Sequence, residues 1–136
     1  MVTGGALLEA SDLHIRLAAD PESVPEARAQ VRRWCERTGV CGRTRDDLLL
    51  AVTEAVANVV VHAYPGGRPR TCSLEMCRDA AGGVVIAISD EGVGLSGASP
   101  SSGCGLGLRI IDRLFPGSTL DESGTGTVVT IRAPVA

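Results

Sequence analysis

The chain has 136 residues, 44% hydrophobic and 21% charged, with a formal net charge of −3. That balance fits one globular domain and argues against a disordered tail. Aromatic residues make up 2% and all 13 basic residues are arginine, which argues against stacking on single-stranded nucleic acid and removes any lysine-based chemistry.

Residues 1–136 read as one domain with its core over about 10–133, since neither a repeat nor a long linker interrupts them. Leu13, Ile15 and Leu17 alternate with polar neighbours and predict a first strand over 12–19. Asp20-Pro21-Glu22-Ser23 supplies turn and cap chemistry. Val24, Ala27, Val31, Trp34 and Cys35 then predict a helix to Thr38, broken by Gly39 and Gly42. A second helix is expected to open near Thr44 as N-cap, with Asp46 and Asp47 at the positive end of its dipole, and to run to about Tyr64.

Strands over 70–78 and 83–89 follow, joined by a turn at Asp79 to Gly83. Residues 91–103 are rich in Gly and Ser and read as a loop. Leu106 to Phe115 predicts a third helix, stopped by Pro116-Gly117, and Thr127 to Arg132 a last strand. The order β-α-α-β-β-α-β implies a two-layer α/β sandwich, with helices on one face of a mixed, mostly antiparallel sheet. Cys35, Cys41, Cys72, Cys77 and Cys104 are odd in number and form no CxxC or zinc-type spacing, as expected of reduced thiols. The start of the chain lacks a signal-peptide pattern, and residues 48–61 are too polar to span a bilayer, so a soluble cytoplasmic protein is expected.

The second helix carries the most informative pattern. From Leu48 to Ala63 nearly every residue is Leu, Val or Ala, yet Glu54, Asn58 and His62 fall at i, i+4 and i+8, with Asp47 on the same line. Such a ribbon is either a thin exposed stripe or a carboxylate and amide aimed into a pocket, where each needs a partner. An amide oxygen is a hard ligand suited to Mg²⁺ held jointly with phosphates, and a carboxylate one turn earlier suits a general base. His62, at the helix end, also suits packing or a local hydrogen bond.

Asp90-Glu91-Gly92-Val93-Gly94 follows the apolar strand and puts an acceptor beside a closely approaching backbone. Gly103-Cys104-Gly105-Leu106-Gly107 opens the third helix, whose free N–H groups suit phosphate. Gly126-Thr127 precedes the last strand, where a turn and a β-former would also explain it.

These four motifs, in this order and on these elements, resemble the histidine-kinase-like ATPase superfamily of gyrases, heat-shock chaperones and mismatch-repair proteins (GHKL). The run Glu54-Ala-Val-Ala-Asn58-Val-Val-Val-His62-Ala-Tyr64 and the chain length look like its anti-sigma-factor serine/threonine kinases. The resemblance implies the Bergerat ATP-binding fold, ATP and Mg²⁺ as cofactors, Asn58 as the metal ligand and Glu54 as the catalytic base. It further implies that Asp90, supported by Thr127, receives the adenine amine. Gly92 and Gly94 would pass the nucleoside, and Gly103, Gly105, Leu106 and Gly107 would wrap the phosphates under a lid at 95–103.

Such kinases phosphorylate a serine on a STAS-type anti-anti-sigma protein and sequester a sigma factor, commonly as homodimers, with no direct nucleic-acid or membrane contact. One departure stands out: residues 96–102 contain no basic side chain, whereas phosphoryl transfer usually recruits a cation. Arg109 is a candidate, or simply a helix-surface arginine. A nucleotide-gated binding module with weak catalysis and a detached histidine-kinase catalytic domain are the alternatives.

Overall fold

The computed structural model of the chain describes residues 12–62, 71–90, 104–123 and 126–134. Its elements are β1 (Leu13–Ala18), α1 (Ser23–Thr38), α2 (Gly42–His62), β2 (Thr71–Arg78), β3 (Val84–Asp90), α3 (Cys104–Leu114), β4 (Thr119–Ser123) and β5 (Gly126–Ala133). They form an α/β arrangement around one five-stranded sheet ordered β1-β2-β3-β5-β4.

Alternation along the strands decides which side chains meet. Leu13, Met76, Ile86 and Ile131 form one cross-strand row, and Ile15, Leu74, Ile88 and Val129 the next. Both rows belong to a core completed from α1 by Ala27, Val31, Trp34 and Cys35, from α2 by Leu48, Val52, Ala55, Val56 and Val59, and from α3 by Ile111. Each fully buried aliphatic contributes about 1.5–3 kcal/mol, which the near-absence of aromatics makes the main source of stability. Trp34 is fully buried, and its indole N–H makes no hydrogen bond with the described residues.

Local chemistry sets the helix ends. Asp20 accepts from the Glu22 amide at 3.0 Å, and the Ser23 hydroxyl donates to the Ala18 carbonyl, turning the chain from β1 into α1. Pro25 sits in the first turn, where its missing N–H is not needed. The helix stops at Gly39, whose φ of +83° is left-handed backbone that favours glycine. The Val40 amide then reaches back to the Cys35 carbonyl at 3.0 Å.

Three expectations need correction. Helix α2 begins at Gly42, with φ +63°, rather than behind a Thr44 cap. Asp46 and Asp47 therefore lie beyond its first turn and are met by Arg45 at 3.2 Å and Arg43 at 3.8 Å. Residues 119–123, to which the sequence reading assigns no element, form the edge strand β4 against β5. Finally, the sheet expected to be mixed and mostly antiparallel is antiparallel at every described pairing. The reason is connectivity: α1 runs away from the end where β1 stops and α2 runs back, so β2 starts at that end and reverses direction. The expected continuation of α2 to Tyr64 and the loop at 91–103 lie outside the described residues.

The β2–β3 turn fixes the far end of the sheet. Asp79 accepts from the amides of Ala81 at 2.9 Å and Gly83 at 2.8 Å. Arg78 donates to the Gly82 carbonyl at 2.8 Å and to the Thr38 carbonyl at 2.6 Å, which ties the end of α1 to this hairpin. Gly39, Val40, Cys41 and Thr44 line one cavity with Gly83, Val84 and Pro134, so α2 starts at the hairpin end.

Candidate nucleotide site

That starting point locates Asn58. From Thr44 to Asn58 a helix rises about 21 Å, and from Val84 to Asp90 a strand advances about 20 Å. The fourth and fifth turns of α2, with Glu54 and Asn58, therefore arrive at the same end of the molecule as the last residue of β3.

There the sheet supplies a row of three residues. Cys72 of β2 is the register partner of Asp90, and Ser89 pairs with Val128, which sets Thr127 beside Asp90. Asp90 and Thr127 are only 7% and 8% exposed, and the Thr127 hydroxyl donates to the Asp90 carboxylate. A buried carboxylate without donors costs several kcal/mol, so this bond holds the acid in place and aims it. Gly126 explains the residue before Thr127: its φ is +156°, and a Cβ there would run into the Asp90 carbonyl oxygen. The backbones of β3 and β5 approach too closely at this point for a side chain.

On the helix side, Glu54 and Asn58 are half-buried. The Asn58 amide nitrogen is buried and makes no hydrogen bond with the described residues. Turning the carboxamide over exchanges that unbonded donor for an unbonded oxygen, a hard ligand of the kind Mg²⁺ takes. Either way a buried polar atom awaits a partner, which is the condition a Mg²⁺–triphosphate would satisfy. Glu54 makes no hydrogen bond or ion pair with another described residue, which leaves its carboxylate open to a substrate proton. Thr53, by contrast, is absorbed locally, its hydroxyl donating to the Leu49 carbonyl at 2.7 Å. Asp47, the first member of the polar ribbon, is taken up by the Arg43 ion pair.

Helix α3 starts at Cys104, so Gly105, Leu106 and Gly107 form its first turn, where unsatisfied N–H groups and the dipole favour phosphate. It packs against α2. Arg109 is exposed on it and His62 is the last residue of α2. Gly92, Gly94 and Gly103 lie outside the described residues.

Sequence reasoning missed Cys72. Burial, and then the negative charge of Asp90, push its thiol up to about 11. Its alternation with Leu74 and Met76 marks it as inward-facing, but only the strand register puts it opposite Asp90.

The chain belongs to the histidine kinase-like ATPase domain family, which it matches over residues 17–133. Among solved structures it is similar to the crystal structure of the RsbU and RsbW domains of Rv1364c from Mycobacterium tuberculosis. That match has 23% identity and a TM-score of 0.71, and covers 90% of this chain and 32% of the other. It is also similar to the histidine kinase domain of the Erythrobacter litoralis EL346 blue-light activated histidine kinase, at 21% identity and a TM-score of 0.59, covering 79% and 60%. A second structure of that kinase matches at 26% identity and a TM-score of 0.55, covering 67% and 30%. The chain thus spans about a third of the Rv1364c chain it resembles. No helix among the described residues is long and apolar enough to cross a membrane.

Proposed function

We propose that residues 1–136 form a single Mg²⁺-dependent ATP-binding domain with protein serine/threonine kinase activity, acting as an anti-sigma regulator in the cytoplasm. Its partners would be a STAS-type anti-anti-sigma protein, as phosphoryl acceptor, and a sigma factor, held by a homodimer. The observation that carries the reading is the buried, unbonded amide of Asn58, one turn beyond an open Glu54 and level with the Asp90–Thr127 pair.

In this reading Asp90 accepts a hydrogen bond from the adenine amine, and Thr127 keeps the carboxylate oriented. Gly92 and Gly94 let the chain pass the nucleoside. Gly103 with the first turn of α3, Gly105, Leu106 and Gly107, donates backbone N–H groups to the phosphates. Asn58 offers its amide oxygen to Mg²⁺, which when bound neutralises phosphate charge. Glu54 takes the proton of the attacking serine hydroxyl as its oxygen bonds to the γ-phosphorus and ADP leaves.

Incubation with radiolabelled ATP, Mg²⁺ and a candidate STAS protein tests this. Glu54→Gln is expected to lower transfer by about 10²–10⁴-fold while ATP affinity stays within about threefold. Equal transfer by both proteins sinks the assignment of Glu54. A second reading, a nucleotide-gated binder with little catalysis, is favoured by the absence of a basic residue from 96–102. Partner release on ATP binding, without phosphoprotein, is its signature. The likeness to histidine kinase domains supports a third reading, a detached histidine-kinase catalytic domain, which phosphohistidine on a separate protein would reveal.

A further inference from the structure

The helix layer stops short of one sheet edge. Ile15, Leu74, Ile88 and Val129 make a cross-strand row facing the core, and Leu120 of β4 continues it as the partner of Val129. Leu74, Ile88 and Val129 are buried, yet Leu120 is 38% exposed. Helix α3 packs against α2 and leaves a groove of about 150 Å³ between itself and β4, lined by Leu108, Ile111, Asp112, Leu120 and Val129. A core-facing leucine left open beside a groove differs from the single surface aliphatics that every protein carries.

The strand itself is open as well. Among the described residues β4 pairs with β5 alone, so its outer row of backbone N–H and C=O groups has no ladder partner. Its sequence, Thr-Leu-Asp-Glu-Ser, has neither the Pro nor the Lys that commonly blunts an edge. The charge here is acidic. Asp112 and Asp121 are exposed, and neither has a hydrogen bond or ion pair with another described residue. On α3, Leu108 lies about 40° to the groove side of Asp112, while Arg109 and Arg113 lie about 60° and 100° to the other side. Asp121 faces the opposite side of the sheet with its partner Val128, and Arg132, on that side too, is about 13 Å further along β5.

We infer that the β4 edge is a docking site for an extended, basic protein segment, which adds a sixth strand to the sheet. Main-chain hydrogen bonds to β4 supply its affinity, and its alternate side chains supply specificity. A lysine or arginine on the core-facing side of the segment lays its apolar stem against Leu120 and Leu108 and its charge on Asp112. The next residue, on the other face, meets Asp121. The same two carboxylates repel an acidic strand or a nucleic-acid backbone. None of these residues belongs to the candidate nucleotide site, so the inference stands without that reading.

The test uses the whole chain and a labelled synthetic peptide of Thr and Val with a central Lys-Lys pair, read by fluorescence anisotropy. Its controls are a Glu-Glu counterpart and a counterpart N-methylated at alternate amides, which keeps the charge and removes edge hydrogen bonds. Asp112→Asn with Asp121→Asn is expected to weaken the Lys-Lys peptide at least about fivefold. Glu26→Gln with Glu36→Gln makes the same change in net charge on α1 and is expected to cost less than about twofold. Leu120→Thr weakens the peptide at least about threefold, and N-methylation at least about tenfold. Equal losses in the two double variants, equal affinity for the N-methylated peptide, or preference for the Glu-Glu peptide overturns the proposal. So does displacement of the peptide by an equal concentration of n-butylammonium, which assigns the groove to a free amine. Self-association of the chain that Leu120→Thr abolishes assigns the edge to a second copy and overturns it too. ATP affinity is followed in parallel: a chain that binds peptide but not ATP refutes the nucleotide reading and leaves this edge standing.

Discussion

Replacing Thr127 by Val isolates one hydrogen bond at the sheet end. Thr127 and Asp90 are both more than nine-tenths buried, and the threonine hydroxyl donates to the carboxylate. Val keeps the branched shape, so no cavity opens, and the change reduces to removing a donor from a buried acid. A hydrogen bond to a charged group contributes about 1.5–3 kcal/mol, of which the added methyl returns less than about 1. The expected loss is about 1–2 kcal/mol, a Tm lower by about 4–8 °C for a domain of this size. Urea and thermal unfolding without nucleotide read it directly. Thr127→Ser, which retains the hydroxyl, is expected to recover most of it. Asp90 must also be aimed to accept from adenine, so Thr127→Val weakens ADP binding in parallel. A variant that melts within about 1 °C of the parent, with unchanged ADP affinity, would refute the reasoning.

Gly126→Ala places a Cβ against the Asp90 carbonyl oxygen at a φ of +156°; backbone has to move, and a loss of at least about 2 kcal/mol is expected, visible in urea unfolding and contradicted by a variant as stable as the parent. Cys72 gives a pH signature. Burial and then Asp90 push its thiol up from an ordinary 9.0 to about 11, so between these values the unfolded chain loses a proton that the folded chain keeps. Stability is full below pH 9 and falls by up to about 2–3 kcal/mol on approaching pH 11. Unfolding curves across that window are expected to be flatter for Cys72→Ala, and identical slopes would count against the burial of this thiol.

Much of this architecture is legible in the sequence because single interactions determine it locally. The 3–4 spacing of Ala27, Val31 and Trp34 specifies α1, and the unbroken run Val84 to Ile88 specifies a central strand. Strand β4 is not legible: Thr119, Leu120, Asp121, Glu122 and Ser123 contain one large apolar side chain, and they are extended because β5 offers them an edge. The start of α2 escapes for a similar reason, since Thr44 has cap chemistry but Gly42 has the backbone freedom to turn the chain two residues sooner. At the candidate site, Glu54 and Asn58 are visible through helical spacing, and Asp90 through its position after an apolar strand. The place of Cys72 opposite Asp90 is invisible there, because strand register, not sequence neighbours, creates it.

The central claim is that Asn58 and Asp90 face one Mg²⁺–ATP. Calorimetric titration of ATP with and without Mg²⁺, into the parent chain, Asn58→Ala and Asp90→Asn, tests it most directly. The account predicts Mg²⁺-dependent binding by the parent, loss of that dependence in Asn58→Ala, and loss of the preference for ATP over GTP in Asp90→Asn. Binding of ATP that is indifferent to both substitutions, or no binding by the parent, would contradict it.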